Sequence, residues 1–130
     1  MKYIFFSILF AVLLIVGVMV FGASNKSQSQ TQNPPVNNVT IIDGKQIVEI
    51  TAKGGYTPRK SVAKAGLPTI LRINTTGTFD CSSFIRIPSM NIGQNLPQSG
   101  VTDIELGSLQ AGVLNGTCGM GMYPFEIDFQ

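Results

Sequence analysis

The 130-residue chain contains no histidine and no tryptophan, and only two cysteines. Without histidine there is no Ser/His/Asp or Cys/His catalytic set, no imidazole general base and no imidazole metal ligand. That excludes most zinc enzymes and the His₂Cys electron-transfer copper site. Charge is also sparse, with 9 basic and 7 acidic residues. From Gln46 onward Lys53, Arg59, Lys60, Lys64, Arg72 and Arg86 are balanced by Glu49, Asp80, Asp103, Glu105, Glu126 and Asp128. The body is therefore neutral and carries no basic stripe, which argues against nucleic acid as a partner. The acidic residues stand singly, so no carboxylate pair suggests acid/base work, and an enzyme is not expected.

What is present divides into three stretches. Residues 3–23 are apolar except for Ser7, with Lys2 just before them. A run of that length spans a bilayer as one transmembrane helix, and Lys2 places the remainder outside the cytoplasm by the positive-inside rule. The competing reading is a cleaved signal peptide, since small residues follow at Gly22-Ala23-Ser24. Both readings export the body, to a periplasmic or extracellular location at the cell membrane. Residues 24–38, rich in Ser, Gln and Asn around Pro34-Pro35, read as a flexible spacer. The expected domains are thus 1–23 as anchor or signal peptide, 24–45 as polar spacer and 46–130 as the folded body.

The body reads as all-β. Short β-branched runs at 47–51, 59–63, 69–74, 83–87, 101–106, 113–118 and 125–129 are punctuated by Gly and Pro. About seven strands at near-regular spacing predict an antiparallel sandwich or Greek-key barrel. No stretch offers a helix longer than a turn or two.

The chemistry left to such a chain is sulfur. Cys118 opens Cys118-Gly119-Met120-Gly121-Met122, directly before the last strand. In extended chain the three sulfurs would share one face, and the glycines would let the backbone curl so that they converge. With Cys81 they make a soft donor set, which favours Cu(I), or Ag(I), over harder divalent ions. Met90, just past Ile87-Pro88-Ser89, is a fifth candidate ligand. Two cysteines in a small exported domain are also simply read as a disulfide, and methionines as core fillers. Asp80 reads as a solvated turn residue, or one that tunes the neighbouring thiol.

These residues carry a resemblance. Gly55-Tyr56-Thr57-Pro58, the turn Lys64-Ala65-Gly66-Leu67-Pro68, Cys81 to Pro88 (CSSFIRIP) and the CGMGM motif together resemble the bacterial EfeO-type cupredoxin-like family. Similar modules occur alone behind an N-terminal anchor, or attached to copper-translocating ATPases and to membrane proteins of the sulfite-exporter type. The resemblance implies a Greek-key β-sandwich with a metal at one end, held by Cys81 from a strand–loop junction and by Cys118, Met120 and Met122 from the loop before the last strand. Relatives often carry a histidine shortly after the final methionine, where this chain has Tyr123-Pro124, and an aromatic residue where it has Met90. The expectation is a domain that holds Cu(I) through Cys/Met sulfur for copper handling, transfer or resistance, with a copper transporter or copper-translocating ATPase as a partner. The alternatives are a disulfide-stapled structural or interaction module without metal, and a cupredoxin-type electron carrier.

Overall fold

In the computed structural model, which describes residues 37–130, ten strands form two five-stranded sheets packed face to face. They are β1 (Val39–Ile42), β2 (Lys45–Ala52), β3 (Tyr56–Thr57), β4 (Lys60–Ala63), β5 (Pro68–Thr75), β6 (Phe84–Ile87), β7 (Ile92–Asn95), β8 (Gly100–Ser108), β9 (Gly112–Cys118) and β10 (Pro124–Phe129). The first sheet has the order β1-β2-β5-β8, with β3 also pairing β2; the second has the order β4-β10-β9-β6-β7. Two 3-10 turns, Cys81–Ser83 and Pro88–Met90, are the only helical segments among the described residues, and none is long and apolar enough to cross a membrane. The expected membrane segment at 1–23 lies outside the described residues, as does most of the expected spacer.

The period-two pattern explains the interior. In β2, Val48, Ile50 and Ala52 face inward, while Glu49 and Thr51 face water. Leu71 and Ile73 of β5, with Ile104 and Leu106 of β8, extend that face. Ile85, Ile87, Leu114, Phe125, Ile127 and Phe129 close on it from the second sheet. Each fully buried Leu, Ile or Phe contributes on the order of 1.5–3 kcal/mol relative to exposure. Six polar side chains are buried as well, and Gln46 is the largest of them. The fully buried Gln46 amide donates to the Lys64 carbonyl and to Thr69 Oγ1, both at 3.0 Å, and accepts from the Lys64 N–H at 2.8 Å. It thereby fastens the connection that carries the chain from β4 back to β5 and leaves no buried amide group unpaired.

Two expectations need correction. The sheets are mixed rather than antiparallel, because β2 runs parallel to β5 and β4 runs parallel to β10. The cause is topological: between β2 and β5 the chain visits the other sheet at β4, so both strands enter the first sheet from the same end. The strand number is ten rather than about seven. All seven expected strands are present; β1, β3 and β7 are additional. β1 lies within residues that read as spacer and joins β2 through Asp43-Gly44, where both residues take positive φ (50° and 75°), the backbone of a tight two-residue hairpin turn. Just before β1, the Asn38 amide donates to the Glu49 carbonyl at 2.9 Å and to Ser61 Oγ at 2.8 Å, which ties this corner of the first sheet to the second.

Candidate metal centre

Strands β6 and β9 are antiparallel neighbours, with Ile85 opposite Cys118. The 3-10 turn that leads into β6 therefore lies beside the end of β9. That turn starts at Cys81, and β9 ends at Cys118, so the two cysteines meet despite their separation of 37 residues. They form a disulfide with a Cα–Cα distance of 5.7 Å, within the usual span of such bridges. Cys118 is fully buried, whereas Cys81 is only partly covered.

Asp80 sets the Cys81 turn. Its carboxylate caps the turn, accepting from the Ser82 hydroxyl at 2.9 Å and the Ser82 N–H at 3.3 Å. Partial burial works to raise its pKa, but hydrogen bonds from Ser82 and from the backbone N–H groups of Gly54 and Ser82 outweigh that, and the carboxyl lies below its ordinary range. Tyr56 completes the support, donating from its hydroxyl to the Phe84 carbonyl at 3.1 Å with its ring against Phe125. Burial, and then the Asp80 charge, push its phenol above the ordinary range, so it stays protonated.

The motif after Cys118 is not extended. The Gly121 N–H donates to the Cys118 carbonyl at 3.0 Å and the Cys118 N–H to the Tyr123 carbonyl at 3.2 Å, closing a compact loop, with Gly121 at φ 76°. Only glycine adopts that backbone without strain. Gly119 lies under Phe84, where a Cβ would stand 3.3 Å from ring carbon Cδ1. The expectation of three sulfurs on one strand face is therefore corrected: Cys118 points into the core, while Met120 and Met122 are 81% and 60% exposed on the loop. Met90 sits in the separate Pro88–Met90 turn, half-buried against the core. Phe79, which sequence reasoning passed over, is 74% exposed just ahead of Asp80 and Cys81. An aromatic residue that close to a cysteine turn was the signal available.

The structure thus unites Cys81 and Cys118 and holds Met120 and Met122 two and four residues beyond, with Met90 on another turn. With the disulfide closed neither sulfur is a thiolate. Two-electron reduction would free both at one place, and the resulting thiolate and thioether donors fit a soft monovalent ion. Among the described residues no three His, Cys, Asp or Glu side chains gather into a harder site. At the opposite end of the sandwich a shallow cavity of about 170 Å³, lined by Leu109, Gln110, Gly112, Val113, Leu114 and Phe129, offers no ligating group.

A mixed ten-strand sandwich closed at one end by cysteine-bearing loops is the cupredoxin architecture, and the chain belongs to the cupredoxin-like domain family, whose pattern matches residues 12–126. No curated protein matches it. Among solved structures it is similar to the metal-binding domain of the Streptococcus pneumoniae D39 Cu(I)-exporting P-type ATPase CopA with Cu(I), at TM-score 0.65 and 20% identity, covering 71% of this chain and 92% of that one. It is also similar to the NMR solution structure of a copper-binding protein in its apo form, at TM-score 0.65 and 26% identity, covering 71% of this chain and 94% of that one.

Proposed function

We propose that this chain is an extracytoplasmic copper-binding domain that takes up Cu(I), or Ag(I), as cargo once its disulfide is reduced. Cys81 and Cys118 serve as thiolate ligands, Met120 and Met122 as thioether ligands, and Met90 as an auxiliary one. The observation that carries this reading is the meeting of the two cysteines beside two exposed methionines, at one end of a fold shared with copper-binding domains. The motifs at Cys81 and Cys118 fit the EfeO-type branch of the family. Residues 1–23 anchor the domain to the cell membrane or direct its export, and the cargo passes to a copper transporter or copper-translocating ATPase in copper handling or resistance. The domain is a carrier and buffer rather than an enzyme.

The test is an anaerobic Cu(I) titration of the reduced chain against a chromophoric Cu(I) competitor. The expected result is one equivalent bound at picomolar Kd or tighter, roughly 16 kcal/mol of binding free energy. Cys118→Ser should lower that affinity by orders of magnitude, and an unchanged affinity would end the assignment. A second reading, a disulfide-stapled interaction module, is favoured by the complete burial of Cys118. It requires that Cu(I) fail to compete and that Met120→Leu and Met122→Leu change nothing.

A further inference from the structure

We propose that the reduced domain is also a stoichiometric reductant of Cu(II), in which the Cys81/Cys118 dithiol delivers two electrons and closes to the disulfide. The electron donor and the methionines that receive the product are then separate parts of one loop cluster. The fate of the product rests on the copper-binding reading above; the electron transfer itself does not.

Four observations lead there. The fold holds the two cysteine Cα atoms 5.7 Å apart, so the pair can bond where it stands without moving the backbone. Access is unequal: Cys118 is fully buried and Cys81 partly exposed, so an incoming ion meets the Cys81 sulfur while Cys118 waits behind it to complete the bond. Nothing nearby favours the oxidised ion. The chain has no imidazole, and no cluster of three Cys, Asp or Glu exists among the described residues. The neighbouring carboxylate, Asp80, is already committed to the Ser82 hydroxyl and N–H. Finally, Met120 and Met122 remain exposed when the disulfide is closed, and their thioethers prefer Cu(I) without being consumed.

The step balances simply. Two S–H bonds break, one S–S bond forms, two protons leave to solvent, and each of two Cu(II) ions takes one electron to become Cu(I). One protein molecule reduces two ions and stops. An external dithiol resets it by thiol–disulfide exchange at the partly exposed Cys81.

The experiment adds excess Cu(II) sulfate anaerobically to the reduced full chain, following the Cu(II) electron paramagnetic resonance signal and the count of titratable thiols. A parallel Cu(I) titration uses the same protein. The expected result is loss of two equivalents of Cu(II) signal as the thiols fall from two to none, with Cys81→Ser slowing the loss at least tenfold. Should that variant fail to fold, alkylating the reduced wild type before adding copper must preserve the Cu(II) signal. Replacing both Met120 and Met122 with Leu should leave thiol oxidation intact but release the Cu(I) to a weak chromophoric chelator. Cu(II) that persists beside two intact thiols overturns the inference, as does equally fast loss in Cys81→Ser. Retained Cu(I) binding alongside unreduced Cu(II) would sink this inference and spare the proposed function. Thiol oxidation by Cu(II) together with no Cu(I) bound in the parallel titration of the reduced protein would do the reverse.

Discussion

At the scale of single residues, the glycines around the cysteine–methionine motif do different work from what their alternation suggested. Gly116 of β9 lies under the Phe125 ring so closely that a Cβ there would collide with it, and Phe125 is itself packed on Tyr56 with ring centroids 4.9 Å apart. Gly116→Ala should therefore displace a core ring next to the cysteine strand and destabilise the domain by about 1–3 kcal/mol, read as a lower denaturant midpoint. Gly121 serves a turn and Gly119 a close contact with Phe84. Glycine suits extended chain and turns alike, so sequence could place Cys118 and its methionines together but could not orient them. The meeting of Cys81 with Cys118 was legible only as a possibility, because two cysteines allow both a staple and a soft site. Asp80 was legible as a turn residue; its capping of the cysteine turn through Ser82 was not. Its lowered carboxyl pKa has a definite sign. A group lowered in the folded state adds stability above its unfolded value, about 3.9, and loses that contribution as pH falls through the folded value. Asp80→Asn should flatten the acid limb of a stability–pH curve below about pH 4, while leaving the neutral region nearly parallel to wild type.

At the scale of elements, the strands with strong alternation were readable and the weak ones were not. β2, β5 and β10 alternate buried and less buried residues without a break, and each was anticipated. β1 is mostly exposed and offers no alternation to read, while β3 is only two residues long. The Asp43-Gly44 turn was the available signal for β1, since that pair favours a two-residue hairpin between flanking strands. Strand direction was not readable, because parallel pairing depends on crossovers through the other sheet. If β1 is a working part of the sandwich, a chain beginning at Gln46 should unfold at lower denaturant than one beginning at Asn37. It would lose the β1–β2 ladder and the Asn38 bonds to Glu49 and Ser61. Equal midpoints would show that β1 contributes nothing.

At the scale of the whole molecule, the disulfide joins the turn before β6 to the end of β9, two points 37 residues apart. Loop-closure entropy for that span corresponds to roughly 4 kcal/mol. In a domain of this size, reduction should lower Tm by roughly 15–25 °C. Cu(I) added to the reduced protein should recover that loss, by an amount that grows with the logarithm of its free concentration over Kd. Thermal melts of the oxidised, reduced and Cu(I)-loaded forms would test both. A reduced form that melts as high as the oxidised one would remove any structural role for the bridge, and no recovery with Cu(I) would count against the cargo reading.

The parallel pairing of β4 with β10 has a consequence for how the chain acquires this structure. In the second sheet β10 lies between β4 and β9, so the latest of the ten described strands to be synthesised occupies an interior position rather than an edge. Until residues 124–129 arrive, Lys60–Ala63 has no ladder partner in that sheet and the other strands cannot close against it. Such non-local pairing makes folding slow and all-or-none. A chain emerging from a ribosome or a translocation channel is expected to stay protease-sensitive until residues 124–129 are free to pair, and then to gain protection in a single step.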